Sequence, residues 1–189
     1  MLRPLFALTA ILAFVALSAC AADDVLPGPP IEWPEVKGLD KQKPNVFKDA
    51  ALGYSISYTG DGTVVTVFVY NLGLEKIPTG PNSDAIKAEM YESLLALEGN
   101  KKSGRYKSIT PLDEGVVPLG ANKAAPQIRR KRYEVDITDE GEAITELYVT
   151  GYKNYFLKIR ATYPSQEKKR PGGEKAVADV LGALSKALK

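Results

Sequence analysis

The chain has 189 residues, of which 44% are apolar and 25% charged, the balance of a globular protein with room for one ordinary domain. Its 25 basic and 23 acidic side chains leave a net charge of +2, too small to imply a nucleic-acid partner. Histidine is absent and cysteine occurs once, which excludes intramolecular disulfides, Cys/His zinc sites and any triad that uses imidazole as general base.

Met1 to Ala19 has the three-part form of a secretory signal: Arg3 supplies a positive start, Leu5 to Leu17 is a nearly unbroken apolar run, and Ser18 and Ala19 are small. The run is shorter than the roughly 20 residues that span a bilayer. It is followed by Asp23 and Asp24 instead of a basic flank, so a cleaved signal is expected over a permanent transmembrane helix. Removing residues 1–19 takes away Arg3 and no acid, leaving a side-chain charge of about +1. Leu17-Ser18-Ala19-Cys20 resembles the bacterial lipobox at all of its positions. The resemblance implies that the Cys20 sulfur takes a diacylglyceryl group, that the chain is cut just before it, and that the new amino group is acylated, with palmitate among the expected acyl chains. More than one acyl chain is what stable membrane attachment requires. Ordinary cleavage, with Ala19-Cys20-Ala21 as an A-x-A site, is the alternative. Ala21 in place of Asp after the cysteine implies, by analogy with enteric bacteria, the periplasmic face of an outer membrane.

Residues 20–45 hold Pro27, Pro29, Pro30, Pro34 and Pro44. Proline blocks both helix and central strand, so this stretch is expected to be an extended tether between the lipid on Cys20 and a single domain over residues 46–189. Trp33, the only tryptophan, is expected to dock onto that domain, with a ligand or lipid contact as the alternative.

From Gly53 to Tyr58 polar and apolar residues alternate, and Thr63 to Tyr70 is β-branched and aromatic; Gly60-Asp61-Gly62 between them predicts a tight hairpin. The second strand is apolar on both faces, with Val64, Phe68 and Tyr70 on one and Val65, Val67 and Val69 on the other, so it requires cover on two sides. Asn82-Ser83-Asp84 offers N-cap oxygens for a helix ending near Glu98, with Gly99 as its stop and Ile86, Met90, Leu94 and Leu97 as its core stripe. Strands follow near Arg105–Thr110, then, after turns at Pro111 and Pro118, near Gln127–Thr138. Further strands follow at Ala143–Tyr152, after a turn at Asp139-Glu140-Gly141, and at Tyr155–Tyr163. Pro171-Gly172-Gly173 precedes a closing helix with the stripe Val177, Leu181, Leu184 and Leu188. The fold class is therefore α+β: an antiparallel β-sheet with helices packed on its faces, an αβα sandwich.

This order is similar to that of the PsbP/Mog1-like domains. The likeness is carried by the hairpin around Gly53-Tyr54-Ser55-Ile56-Ser57-Tyr58 and by Tyr155-Phe156-Leu157-Lys158-Ile159-Arg160-Ala161-Thr162-Tyr163-Pro164 before the last helix. It is a likeness of layout over most of residues 46–189, and it implies a binding or assembly role without assigning any functional residue.

Arg129-Arg130-Lys131-Arg132 is the most conspicuous charge run. On a strand it alternates, with Arg130 and Arg132 on the face of Glu134 and Asp136, and Lys131 with Tyr133, Val135 and Ile137. Cross-strand ion pairs are one reading of the run. An anionic contact site for a lipid headgroup or acidic glycan, joined by Lys101, Lys102, Arg105 and Lys107, is the other. Asp136 to Gly141 lacks the glutamate that a calcium loop needs at position 12, where Leu147 stands, and Arg170 to Lys175 lacks the spacing of a phosphate loop. No metal ligand set, cofactor or catalytic residue is expected. The acids Asp61, Asp113, Glu114, Asp136, Glu142 and Glu146 fall in expected turns or polar faces, with nothing to bring two of them into one cleft. The favoured expectation is a non-catalytic envelope lipoprotein that binds a protein or a cell-wall glycan. A carboxylate-dependent hydrolase of envelope glycans is the alternative.

Overall fold

A computed structural model describes residues 26–121 and 124–188; the signal segment and Cys20 lie outside the described residues. The strands are β1 (Asp40–Lys41), β2 (Asn45–Val46), β3 (Tyr54–Gly60), β4 (Thr63–Tyr70), β5 (Tyr106–Pro118), β6 (Gln127–Ile137), β7 (Gly141–Tyr152) and β8 (Tyr155–Pro164). The helices are α1 (Asp84–Lys102), between β4 and β5, and α2 (Arg170–Ala187), after β8. All pairings are antiparallel, in the order β1-β3-β4-β8-β7-β6-β5, with β2 also on β3. The α1 connection carries the chain from the middle of the sheet to its far edge, and three successive hairpins return it to β4.

Turn chemistry sets these hairpins. Asp61 (φ 46°) and Gly62 (φ 74°) form a two-residue loop with positive φ at both positions, as do Lys153 (φ 47°) and Asn154 (φ 65°) between β7 and β8. Ser83 caps α1, its Oγ accepting from the Ile86 N–H at 3.4 Å.

The two helices cover opposite faces, as the two-sided character of the strands requires. Tyr54, Ile56, Val65, Val67, Leu157 and Ile159 point toward Val177, Val180, Leu181 and Leu184 of α2. Residues of opposite parity, among them Tyr70, Val135, Leu147, Val149 and Phe156, meet Ile86, Met90 and Leu97 of α1. The α+β expectation of helices on both faces of an antiparallel sheet is thereby met.

Five local expectations are corrected. Gly99 does not stop α1: it sits on the exposed side, and the helix runs on to Lys102 before Gly104 (φ 79°) turns the chain. Pro111 makes no turn, because β5 is an edge strand with register shifts at Tyr106/Ser108 and Pro111/Asp113, where a missing N–H is tolerated. Pro171, Gly172 and Gly173 do not precede α2 but form its first turn. Glu146 is on no polar face; it is buried in the middle of β7. The fifth concerns the spacer. From Leu26 onward this stretch lies on the domain: Val36 is in the core, Leu26, Ile31, Trp33 and Leu39 pack against it, and Asp40–Lys41 and Asn45–Val46 pair with β3. Trp33 meets Tyr54 edge-on at 5.8 Å, and Tyr58 donates its hydroxyl to the Pro34 carbonyl at 3.1 Å. From Pro27 to Pro34 the prolines prevent regular structure without preventing packing.

Candidate functional site

α2 covers the β4–β8 part of its face and leaves the β6–β7 part open. The result is a groove of about 1300 Å³. Its floor carries Arg130 and Arg132 from β6 and Glu146 and Tyr148 from β7, and its α2 wall carries Glu174, Val177, Ala178 and Leu181. The β5–β6 connection closes one end, where a Cβ on Gly120 would lie 2.9 Å from the Gly182 Cα, so backbone meets backbone at two glycines.

The floor is an ionic network around a buried carboxylate. Glu146 is 5% exposed and accepts from the Tyr163 hydroxyl at 2.6 Å and from the Tyr148 hydroxyl. Arg132 places its Nε 3.2 Å from Glu146 Oε1, and its two terminal nitrogens lie 3.3 Å from Asp113 and 3.7 Å from Glu174. Arg130 donates to Asp113 at 2.8 Å, and Arg170 to Glu174 at 2.9 Å. Three guanidinium groups and three carboxylates therefore interleave. Burial, reinforced by Glu146, pushes the Tyr148 and Tyr163 phenols well above the usual tyrosine range, so both are neutral donors. The Nε–H groups of Arg130 and Arg132 are buried without an aligned acceptor among the described residues.

A second buried carboxylate occupies the opposite face. Glu89 of α1 accepts from Lys158 Nζ at 3.1 Å, from Ser93 Oγ at 3.4 Å and from the Tyr70 hydroxyl. The Lys158 ammonium also lies 5.0 Å from the Tyr70 ring centre and 5.5 Å from that of Phe68. This cluster lines no part of the groove beside α2 and pins α1 to β8.

The basic run is divided between these faces. Arg130 and Arg132 enter the groove, whereas Arg129 donates to the Pro81 carbonyl at 3.2 Å and Lys131 pairs with Glu114 at 2.8 Å on the other side. Cross-strand ion pairs to β5 and β7 engage three of the four. Of the six acids singled out in the sequence, only Glu146 lines the groove, with Glu174 as its neighbour there. Both Glu146 oxygens already accept from tyrosines. Periodicity alone brings together neither Tyr148 and Tyr163 around Glu146 nor Tyr70, Ser93 and Lys158 around Glu89. The signal was present in Ala143–Gly151, where Glu146 interrupts a strand too apolar to have a solvent face. Among the described residues no group of three or more His, Cys, Asp or Glu side chains could hold a metal ion, and no helix is long and apolar enough to cross a membrane. No protein-family model matches the chain, and no curated protein matches it.

Proposed function

We propose that this chain is an exported lipoprotein, anchored to the bacterial envelope by lipid on Cys20, whose domain is a non-catalytic binding module that uses the groove beside α2. The observation that carries the binding part is the groove itself, with Val177, Ala178 and Leu181 among charged residues on its α2 wall and a floor of interleaved arginines and carboxylates. A concave surface that pairs apolar area with a few fixed polar groups is what ligand and peptide sites share. Glu146 is held by two hydroxyls and a guanidinium, an arrangement that engages both carboxylate oxygens and fixes the floor. The likeness of layout to the PsbP/Mog1-like domains, whose known roles are mostly binding or assembly, supports the binding reading. The anchoring part is supported by the lipobox residues Leu17 to Cys20. The occupant is an envelope protein segment or a cell-wall glycan strand with both apolar and hydrogen-bonding groups.

The test is a photo-crosslinking residue at Ala178, exposed on the groove wall, in intact cells, with Ala88 on the outer side of α1 as control. A discrete adduct from Ala178 that is absent from Ala88 is expected. No adduct above the Ala88 background would contradict the reading.

A further inference from the structure

We propose that the end of the sheet built from residues 46–53 and 71–76 seats in the lipid–water interface, so that the domain rests on the bilayer and does not stand away from it; the inference rests on the lipid anchor at Cys20. Nine large apolar side chains are exposed among the described residues, and four of them, Val46 (50%), Leu52 (45%), Leu72 (45%) and Leu74 (45%), lie at this end. The two segments form one tip: the Ala51 carbonyl accepts from the backbone N–H groups of Leu72 at 2.8 Å and Asn71 at 3.3 Å.

The chain's own connectivity says what covers this tip. Leu26 and Ile31 line a hollow with Tyr54, and Gly28 lies against the Tyr155 ring. Tyr54 pairs with Val46 on one side and with Val69, just before the 71–76 loop, on the other. The N-terminal strap therefore reaches the domain at the same end as the exposed leucines. Cys20 is six residues before Leu26, a span of about 20 Å at full extension. A lipid on Cys20 thus draws this end toward the headgroups.

The Asn71–Leu74 turn adds a second, independent observation. The Leu74 N–H bonds the Asn71 carbonyl at 2.9 Å, with Leu72 (φ 54°) and Gly73 (φ 74°) in the left-handed region between them. Such a turn favours Asn or Gly where Leu72 stands. The Gly73 N–H on Asn71 Oδ1 at 3.0 Å and the Leu72 N–H on the Ala51 carbonyl at 2.8 Å hold the turn. It presents a leucine 45% exposed where Asn or Gly would serve the backbone better, an apolar side chain that a lipid interface would cover. Lys48 and Lys76 flank the leucines, but Asp49 and Glu75 balance them, so the contact relies on apolar insertion and depends little on salt.

The experiment measures amide hydrogen exchange on the full lipidated chain in phosphatidylethanolamine/phosphatidylglycerol vesicles, beside a lipidated L52S/L72N/L74S variant. The mass of the Cys20 peptide is read in the same preparations. The expected result is exchange at residues 47–53 and 71–76 at least tenfold slower in the parent than in the variant, with residues 138–142 at the opposite end exchanging equally in both. Equal rates at the tip in a protein whose Cys20 carries lipid would overturn the inference and leave the anchor standing. A Cys20 peptide without lipid would remove the anchor as well. Protection that appears only in native membranes, and not in pure lipid vesicles, would assign the tip to a protein partner and overturn it too.

Discussion

Arg132 and Glu146 are direct partners across the β6–β7 ladder, and the Arg132 Nε lies 3.2 Å from Glu146 Oε1 on a face that α2 leaves open. Removing Arg132 leaves the buried Glu146 with hydroxyl donors alone. Removing Glu146 takes the acceptor from the Tyr148 and Tyr163 hydroxyls, while Asp113 and Glu174 still face the guanidinium. Glu146→Leu or Arg132→Met is expected to cost about 3–5 kcal/mol, and the double replacement markedly less than the sum. Urea denaturation of the three variants measures this; single variants within 1 kcal/mol of the parent would show that the pair is solvated.

Gly173 stands in α2 where alanine would ordinarily be preferred by roughly 1 kcal/mol. Here a Cβ would lie 2.5 Å from the Tyr163 Cβ, so Gly173→Ala must lift α2 from β8 or displace the tyrosine that donates to Glu146. A loss of about 1–3 kcal/mol is expected, opposite in sign to helix propensity. Thermal unfolding decides it, and a higher Tm would contradict the close contact.

Much of this layout is legible in the sequence, for local reasons. Gly60-Asp61-Gly62 dictates its turn through positive φ, and the stripes Ile86–Leu97 and Val177–Leu188 follow helical spacing onto the two core faces. What escapes is set by distant partners. Pro111 stays in a strand because that strand turns out to be an edge, a fact of topology. Residues 26–45 pack because Tyr54 and Tyr58, more than twenty residues on from Trp33 and Pro34, present an aromatic ring and a hydroxyl to them. The groove is legible only in part: Arg130 and Arg132 stand out by charge, but Glu146 becomes central only once Tyr148 and Tyr163 close over it.

The packing of that strap predicts a stability effect that a free tether would not show. Trp33→Ala removes the ring that meets Tyr54, and a loss of about 2–3 kcal/mol is expected for this half-buried side chain. Equilibrium unfolding unchanged by the substitution would mean that the strap is not part of the folded unit.

Tyr54 and Tyr58 give the fold an alkaline limit. Burial pushes both phenols from the ordinary value of 10.0 up to about 12, with nearby Glu35 adding to the rise at Tyr58. Below about pH 10 both folded and unfolded chains keep the protons, and the contribution is complete. Between about pH 10 and 12 the unfolded chain releases protons that the folded chain holds, so stability falls as pH rises. Tyr58→Phe, which also loses the bond to the Pro34 carbonyl, is expected to be less stable near neutrality but to decline less steeply. Denaturation midpoints between pH 8 and 11 test this; an unchanged slope would remove Tyr58 as a contributor.

The reading of this chain as a membrane-anchored binding module depends most directly on Cys20. Metabolic labelling with radioactive palmitate, comparing the parent with Cys20→Ala, tests it in one measurement. Label in the parent and none in the variant is the predicted result; an unlabelled parent, or equal label in both, would contradict the account.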